Sequence, residues 1–165
     1  LNSLGVKDVY MLSGDNNTAV NSVCSQIGGI QGFGSLLPTE KTQKVKEIKK
    51  GHKSVVYVGD GVNDAPSLAA AGFGISIGSN ALALESGDAT LLYTNLTAIP
   101  NIISLAKYTM RVIYSNITFA LLIKLAVLIA ATLGYAPIWL ALFADVGVLI
   151  ITVLHSVTIL YKKVK

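Results

Sequence analysis

Residues 113–161 hold two charged side chains, Lys124 and Asp145, while most of the remaining charge lies in residues 1–112. A chain divided in this way cannot fold as one ordinary soluble domain. Its mean hydropathy of +0.60 and 52% hydrophobic content come from the second part. Residues 117–133 and 138–160 are each long enough to cross ~30 Å of hydrocarbon at ~1.5 Å per residue. Two core helices of a soluble protein would pass the same length test. Stretches this apolar, with one charge each, seldom occur in pairs outside membranes, so a membrane hairpin is the expected structure. Lys107 and Arg111 precede the hairpin, and Lys162, Lys163 and Lys165 follow it. Cytoplasmic flanks carry the excess of Lys and Arg, so both ends and the polar part are expected in the cytoplasm. The connector Gly134-Tyr135-Ala136-Pro137 has no charge and would face the other side. These flanks account for the net charge of +4 without a nucleic-acid partner.

The two intramembrane charges have a geometric relation. Lys124 lies about eleven residues before the turn at Tyr135 and Asp145 about ten after it. In an antiparallel hairpin both fall ~15 Å from the turn, near the midplane. A lone charge at that depth costs several kcal/mol, so the two are expected to face each other or a wet cavity. A purely structural ion pair would satisfy the same requirement. Intramembrane ionisable groups more often mark transport paths. Residues 96–112 enter the first span without a clear breaker and predict a continuous stalk helix. The expected organisation is therefore 1–95, a polar domain; 96–112, the stalk; 113–161, the helix pair; and 162–165, a basic tail.

Within the polar part, residues 8–12, 53–58, 73–77 and 89–93 read as strands. Residues 17–27 place Ala19, Val20, Val23 and Ile27 at helical spacing, and Gly28-Gly29 ends that helix. Residues 39–50 form a second helical pattern with Val45 and Ile48 inward. A short apolar piece covers residues 33–37. Strands alternating with helices predict an α/β domain with a parallel sheet covered on both faces. Cys24 is the one cysteine, so no internal disulfide is possible, and it reads as a small part-buried side chain.

Three loops then follow strand ends, where open α/β sheets place their ligands. They carry Ser13 with Asp15, Lys41 just past Pro38, and Asp60 with Asp64 in Gly59-Asp60-Gly61-Val62-Asn63-Asp64-Ala65-Pro66. A hydroxyl, an ammonium and two carboxylates are the parts of phosphoryl transfer, where catalysis is mainly positioning and charge neutralisation. Mg²⁺ takes one or two carboxylates with phosphate oxygens and water, which suits Asp60. Singly, each has a plainer explanation. Gly-Asp-Gly is a common turn, Ser13-Gly14-Asp15-Asn16 is turn-forming, Lys41 is a solvated helix residue, and Asp64 caps the helix that starts with Pro66 in its first turn. Their order and spacing carry more than any one of them.

Met11-Leu12-Ser13-Gly14-Asp15-Asn16, Leu37-Pro38-Thr39-Glu40-Lys41 and Val58 through Pro66 together resemble the phosphorylation domain of P-type ATPases, which has the haloacid-dehalogenase-like, Rossmann-type fold. The family's second motif begins with Thr, and here Ser13 keeps the hydroxyl. The resemblance covers essentially the whole chain. It implies that Asp60 is a ligand of Mg²⁺ and that Asp64 orients that site. It also implies that Asn63 contacts the phosphoryl group, Lys41 neutralises its oxygens, and Ser13 and Gly14, with Asp15 in the same motif, hydrogen-bond one of them. The family's nucleophile is the aspartate of an Asp-Lys-Thr-Gly-Thr motif, which is absent from these residues. The expectation is thus a C-terminal fragment with an incomplete sheet. ATP would be bound through missing N-terminal domains, and the fragment alone would not hydrolyse it.

Asn116-Ile117-Thr118 with Lys124, then Trp139-Leu140-Ala141 and Ala144-Asp145-Val146-Gly147, resemble the zinc/cadmium/lead exporters among heavy-metal P-type ATPases. That resemblance implies that Asp145 helps bind the transported cation and that Lys124 is its internal counter-ion. His155 stands where this branch often has Asn. It reads as a further metal ligand or, more plainly, as a hydrogen-bonded helix histidine. The expected activity is ATP-driven export of Zn²⁺, Cd²⁺ or Pb²⁺ across a cell membrane, with membrane lipid as the surroundings. Two alternatives remain at this point. One is a truncated, non-catalytic membrane protein that regulates or scaffolds an intact pump. The other is a membrane-anchored Mg²⁺ phosphatase, against which the missing nucleophile argues.

Overall fold

A computed structural model describes residues 1–60, 63–78, 85–92, 96–135 and 137–162. The chain forms two compact units, Leu1–Ala98 and Ile99–Lys165.

The first unit is built on parallel strands. Strand β1 (Tyr10–Leu12) leads through helix α1 (Asn17–Ile27) to β2 (Gln31–Phe33). Helix α2 (Pro38–Gly51) then precedes β3 (Val56–Gly59), α3 (Ala65–Ala70), β4 (Phe73–Ile77) and β5 (Ala89–Leu91). The sequence predicts one sheet. Among the described residues there are two, β1-β2 and β3-β4-β5, and every pairing in both is parallel. The cause is a missing ladder, since no backbone hydrogen bonds join β1 to β3. Strand bounds also shrink from those expected. Just before the strands, the Val9 and Val55 carbonyls accept the Gln31 and Phe73 N–H groups at 3.0 Å, but regular pairing starts only at Tyr10 and Val56, and Tyr93 lies outside the described residues.

Alternation of side chains explains how helices cover both faces. On one face of β1-β2, Gly32 lies against Val20 and Cys24 of α1, and Cys24 Sγ reaches Met11 Sδ at 4.0 Å. On the other face, Tyr10 stacks on Phe33, and Lys44 of α2 sits 4.4 Å from the Phe33 ring centroid. Helix α3 covers the face of β3-β4 that carries Tyr57 and Gly74, with Leu68 directly over Gly74. Val20, Val45, Leu68 and Ile75 are buried, and each such burial contributes roughly 1.5–3 kcal/mol. Asn16 starts α1 by accepting the Ala19 N–H at 2.8 Å, and Gly28 ends it at φ 73, a conformation unfavourable for other residues. Lys49 of α2 donates to the Ala70 and Ala71 carbonyls at 3.1 and 3.0 Å and so caps the end of α3.

In the second unit, helix α4 (Ala98–Thr132) runs unbroken for 35 residues, so no breaker separates the stalk segment from the first span. Gly134 turns the chain at φ 80, and α5 (Ile138–Val157) returns. Both helices are long and apolar enough to cross a membrane. Their side chains are mostly exposed, as expected of surfaces whose solvent is lipid rather than water.

Candidate functional site

The three loops of the first unit are stitched together. The Ser13 carbonyl accepts the Leu36 N–H at 3.1 Å, which ties the loop after β1 to the approach to α2. Ser13 Oγ donates to Asp15 Oδ2 at 2.8 Å and accepts the Asp15 N–H at 3.1 Å. The second loop meets the third through Lys41, whose Nζ lies 3.1 Å from Asp64 Oδ1. That pair is largely shielded, with 18% and 14% side-chain exposure. Thr42, one residue on, shares a 3.0 Å hydrogen bond with buried Ser67 of α3.

Asp64 corrects one expectation. It stands at the cap position just before α3, and its carbonyl accepts the Leu68 N–H at 2.8 Å, but its carboxylate caps nothing. The carboxylate turns instead toward Lys41 and over Gly59, where an ion pair in a shielded place outweighs a cap bond of about 1 kcal/mol. Gly59 must be small for this. A Cβ there would lie 2.8 Å from Asp64 Oδ2 and 2.9 Å from Tyr57 Cε1.

Asp60 is solvent-facing, and its Oδ1 accepts the Asn63 N–H at 3.2 Å. Gly61 and Val62, between them in the motif, lie outside the described residues. Sequence reasoning missed Tyr57. Its phenol lies beside Asp64, and burial first, then the Asp64 charge, push it above its ordinary pKa so that it stays protonated. The strand alternation that puts Tyr57 on the same face as Gly59 was a usable signal. Thr42 and Ser67 had none, being 25 residues apart.

In the second unit, Lys124 Nζ lies 2.8 Å from Asp145 Oδ1. The pair bridges α4 and α5, and both side chains are more than half exposed on the bare hairpin. Farther along α5, His155 Nδ1 donates to Asn116 Oδ1 at 2.6 Å. Asn116 Nδ2 donates to the Thr152 carbonyl at 3.1 Å and to Ser156 Oγ at 2.9 Å.

This combination can be set beside known proteins. A haloacid dehalogenase-like hydrolase family profile matches residues 1–72. A probable cadmium-transporting ATPase of Listeria monocytogenes is 36% identical over 165 residues, 99% of this chain and 23% of its own length. A cadmium/zinc-transporting ATPase of Arabidopsis thaliana is 38% identical over 169 residues, all of this chain and 18% of its own. The crystal structure of a zinc-transporting PIB-type ATPase superposes on 96% of the chain with a TM-score of 0.89 and 37% identity. The chain belongs to the P-type ATPases. It spans about a quarter or less of the length of the relatives it matches. In this P-type ATPase chain, the likeness runs through both the parallel-stranded unit and the apolar helix pair.

Proposed function

We propose that this chain supplies phosphoryl-handling loops and two membrane helices to an ATP-driven pump that exports Zn²⁺, Cd²⁺ or Pb²⁺ across the cell membrane. The observation that carries this is the pairing of Lys124 with Asp145 on two membrane-length helices, in a chain that also holds Lys41 against Asp64. A simple membrane anchor has no use for two charges that cost several kcal/mol each to bury in lipid.

In the soluble loops, Lys41 neutralises phosphoryl oxygens, and Ser13, Gly14 and Asp15 line the loop that hydrogen-bonds one of them. Asn63 contacts the same group. The solvent-facing Asp60 carboxylate, backed by Asp64, is a hard-oxygen donor set that fits Mg²⁺. Bound there, Mg²⁺ supplies charge neutralisation at the phosphoryl group. Asp64 holds Lys41 in place, and Tyr57 and Gly59 set the position of Asp64. The phosphate acceptor is an aspartate of the Asp-Lys-Thr-Gly-Thr type, a motif these 165 residues do not contain.

In the membrane, Asp145 binds the cation, and Lys124 takes its place as counter-ion when the cation leaves. The test is ATPase activity of the full-length protein against Zn²⁺, Cd²⁺, Pb²⁺, Co²⁺ and Cu⁺, with Asp145→Ala alongside. Stimulation by the first three that disappears in the variant is expected. Unchanged metal-stimulated turnover in Asp145→Ala would remove Asp145 from the transport site, and stimulation by Cu⁺ alone would replace the cargo.

A further inference from the structure

Asn116 and His155 form a second polar bridge across the helix pair, separate from Lys124 and Asp145. Its hydrogen-bond logic leaves one arrangement. The Thr152 carbonyl can only accept, so the Asn116 atom facing it at 3.1 Å is the amide nitrogen. Ser156 Oγ gives its own proton to the Thr152 carbonyl at 2.8 Å, so it accepts the other Asn116 N–H at 2.9 Å. Both amide protons are thereby used, and Asn116 Oδ1 faces His155 as an acceptor. His155 Nδ1 must then carry the proton of the neutral imidazole. The lone pair falls on Nε2, which has no partner among the described residues.

An imidazole whose one N–H is anchored to a carbonyl oxygen while the other nitrogen stays open is the arrangement of a metal-ligating histidine. Imidazole nitrogen suits Zn²⁺ and similar borderline cations. The bridge lies toward the end of the hairpin that carries Lys107, Arg111 and Lys162. His155 is ten residues beyond Asp145, about 15 Å along the helix axis. With metal–nitrogen bonds of ~2 Å, one ion cannot touch both side chains.

We propose that His155 Nε2 is a separate ligand for the transported divalent cation, at the basic-flanked end of the helix pair, with Asn116 as its positioning residue. The proposal rests on the transport function proposed above. An ion held by one imidazole and water is bound loosely, which suits a station that must release it toward Asp145.

Comparing ¹⁵N-histidine spectra of the full-length protein in lipid nanodiscs with those of its His155→Gln and His52→Gln variants assigns the signals of these two histidines. His52 is an internal control, because both its nitrogens are engaged, by the Ile48 carbonyl and by Asp8. Without metal, His155 is expected to show a protonated Nδ1 and an unprotonated Nε2. Added Zn²⁺ is expected to shift Nε2 of His155 and leave His52 unmoved. Asn116→Ala is expected to weaken that Zn²⁺ response ~10- to 100-fold. A proton on Nε2, or a His155 signal unmoved by saturating Zn²⁺, would overturn the site while leaving the Asp145-dependent turnover test untouched. A Zn²⁺ response at His155 in a protein whose turnover ignores Asp145→Ala would instead refute its place on a transport path.

Discussion

Replacing Gly59 by Ala tests how the phosphoryl-handling loops are held. The new Cβ would meet Asp64 Cβ and Oδ2 at 2.8 Å and Tyr57 Cε1 at 2.9 Å, whereas ordinary contact begins at 3.4 Å. Asp64 must therefore retreat by about 0.6 Å. Such overpacking costs ~1–3 kcal/mol by itself. The retreat also stretches the 3.1 Å contact to Lys41. The direct attraction at that distance is about 5 kcal/mol at an effective dielectric of ~20. Desolvation of the two groups offsets most of it, leaving roughly 1–2 kcal/mol of net coupling at risk. The expected loss is ~2–4 kcal/mol in the local stability of β3 and α3, read by hydrogen exchange of their amides with the whole chain in detergent micelles. Gly51→Ala is the control. It makes the same chemical change at the end of α2, where an added Cβ meets nothing within 4 Å, and it is expected to stabilise by about 0.5–1 kcal/mol. Because the Lys41–Asp64 contact is already weakened in Gly59→Ala, Lys41→Met is expected to cost less there than in the wild type. A Gly59→Ala protein as stable as the wild type, or full additivity with Lys41→Met, would refute the packing of Asp64 over Gly59.

Three further outcomes are expected. Asn16→Ala removes the acceptor of the Ala19 N–H and is expected to cost α1 about 1 kcal/mol, checked by exchange of its first-turn amides. His52 has its pKa raised above 6.5, chiefly by the Ile48 carbonyl and then by Asp8, with Lys7 opposing. A raised folded-state pKa stabilises below the unfolded value, so the Asp8–His52 tether is expected to hold below pH 6.5 and loosen as pH rises through the folded-state pKa. Thermal unfolding that becomes less stable on acidification through this window, in wild type but not in His52→Gln, would contradict it. Asp145→Leu leaves Lys124 unpaired in lipid and is expected to impair insertion of the helix pair by ~3 kcal/mol. Adding Lys124→Leu is expected to restore insertion, which glycosylation mapping in microsomes can measure.

The one-dimensional pattern of this chain decided its large features, because each rests on a period or a local composition. Two apolar stretches of membrane length imply membrane-length helices whatever else the chain does, and strands alternating with helices imply parallel pairing. The ends of α1 were legible as well, since Gly28 and Gly29 act within one turn of the helix. Even the closeness of Lys124 and Asp145 follows from counting outward from a turn.

What the sequence left open depends on residues distant in the chain. Whether the strands make one sheet or two is a matter of which edges meet, and no local pattern reports that. Asp64 reads as a helix cap by position, but its carboxylate goes to Lys41, 23 residues away, through a gap that only the absence of a Gly59 side chain provides. His155 reads as an ambiguous helix histidine until Asn116, 39 residues earlier, is placed beside it. Its tautomer is then set by a chain of donors that begins at Thr152 and Ser156. Hydrogen bonds and ion pairs act over about 3 Å whatever the separation along the chain, so their partners are chosen by tertiary packing.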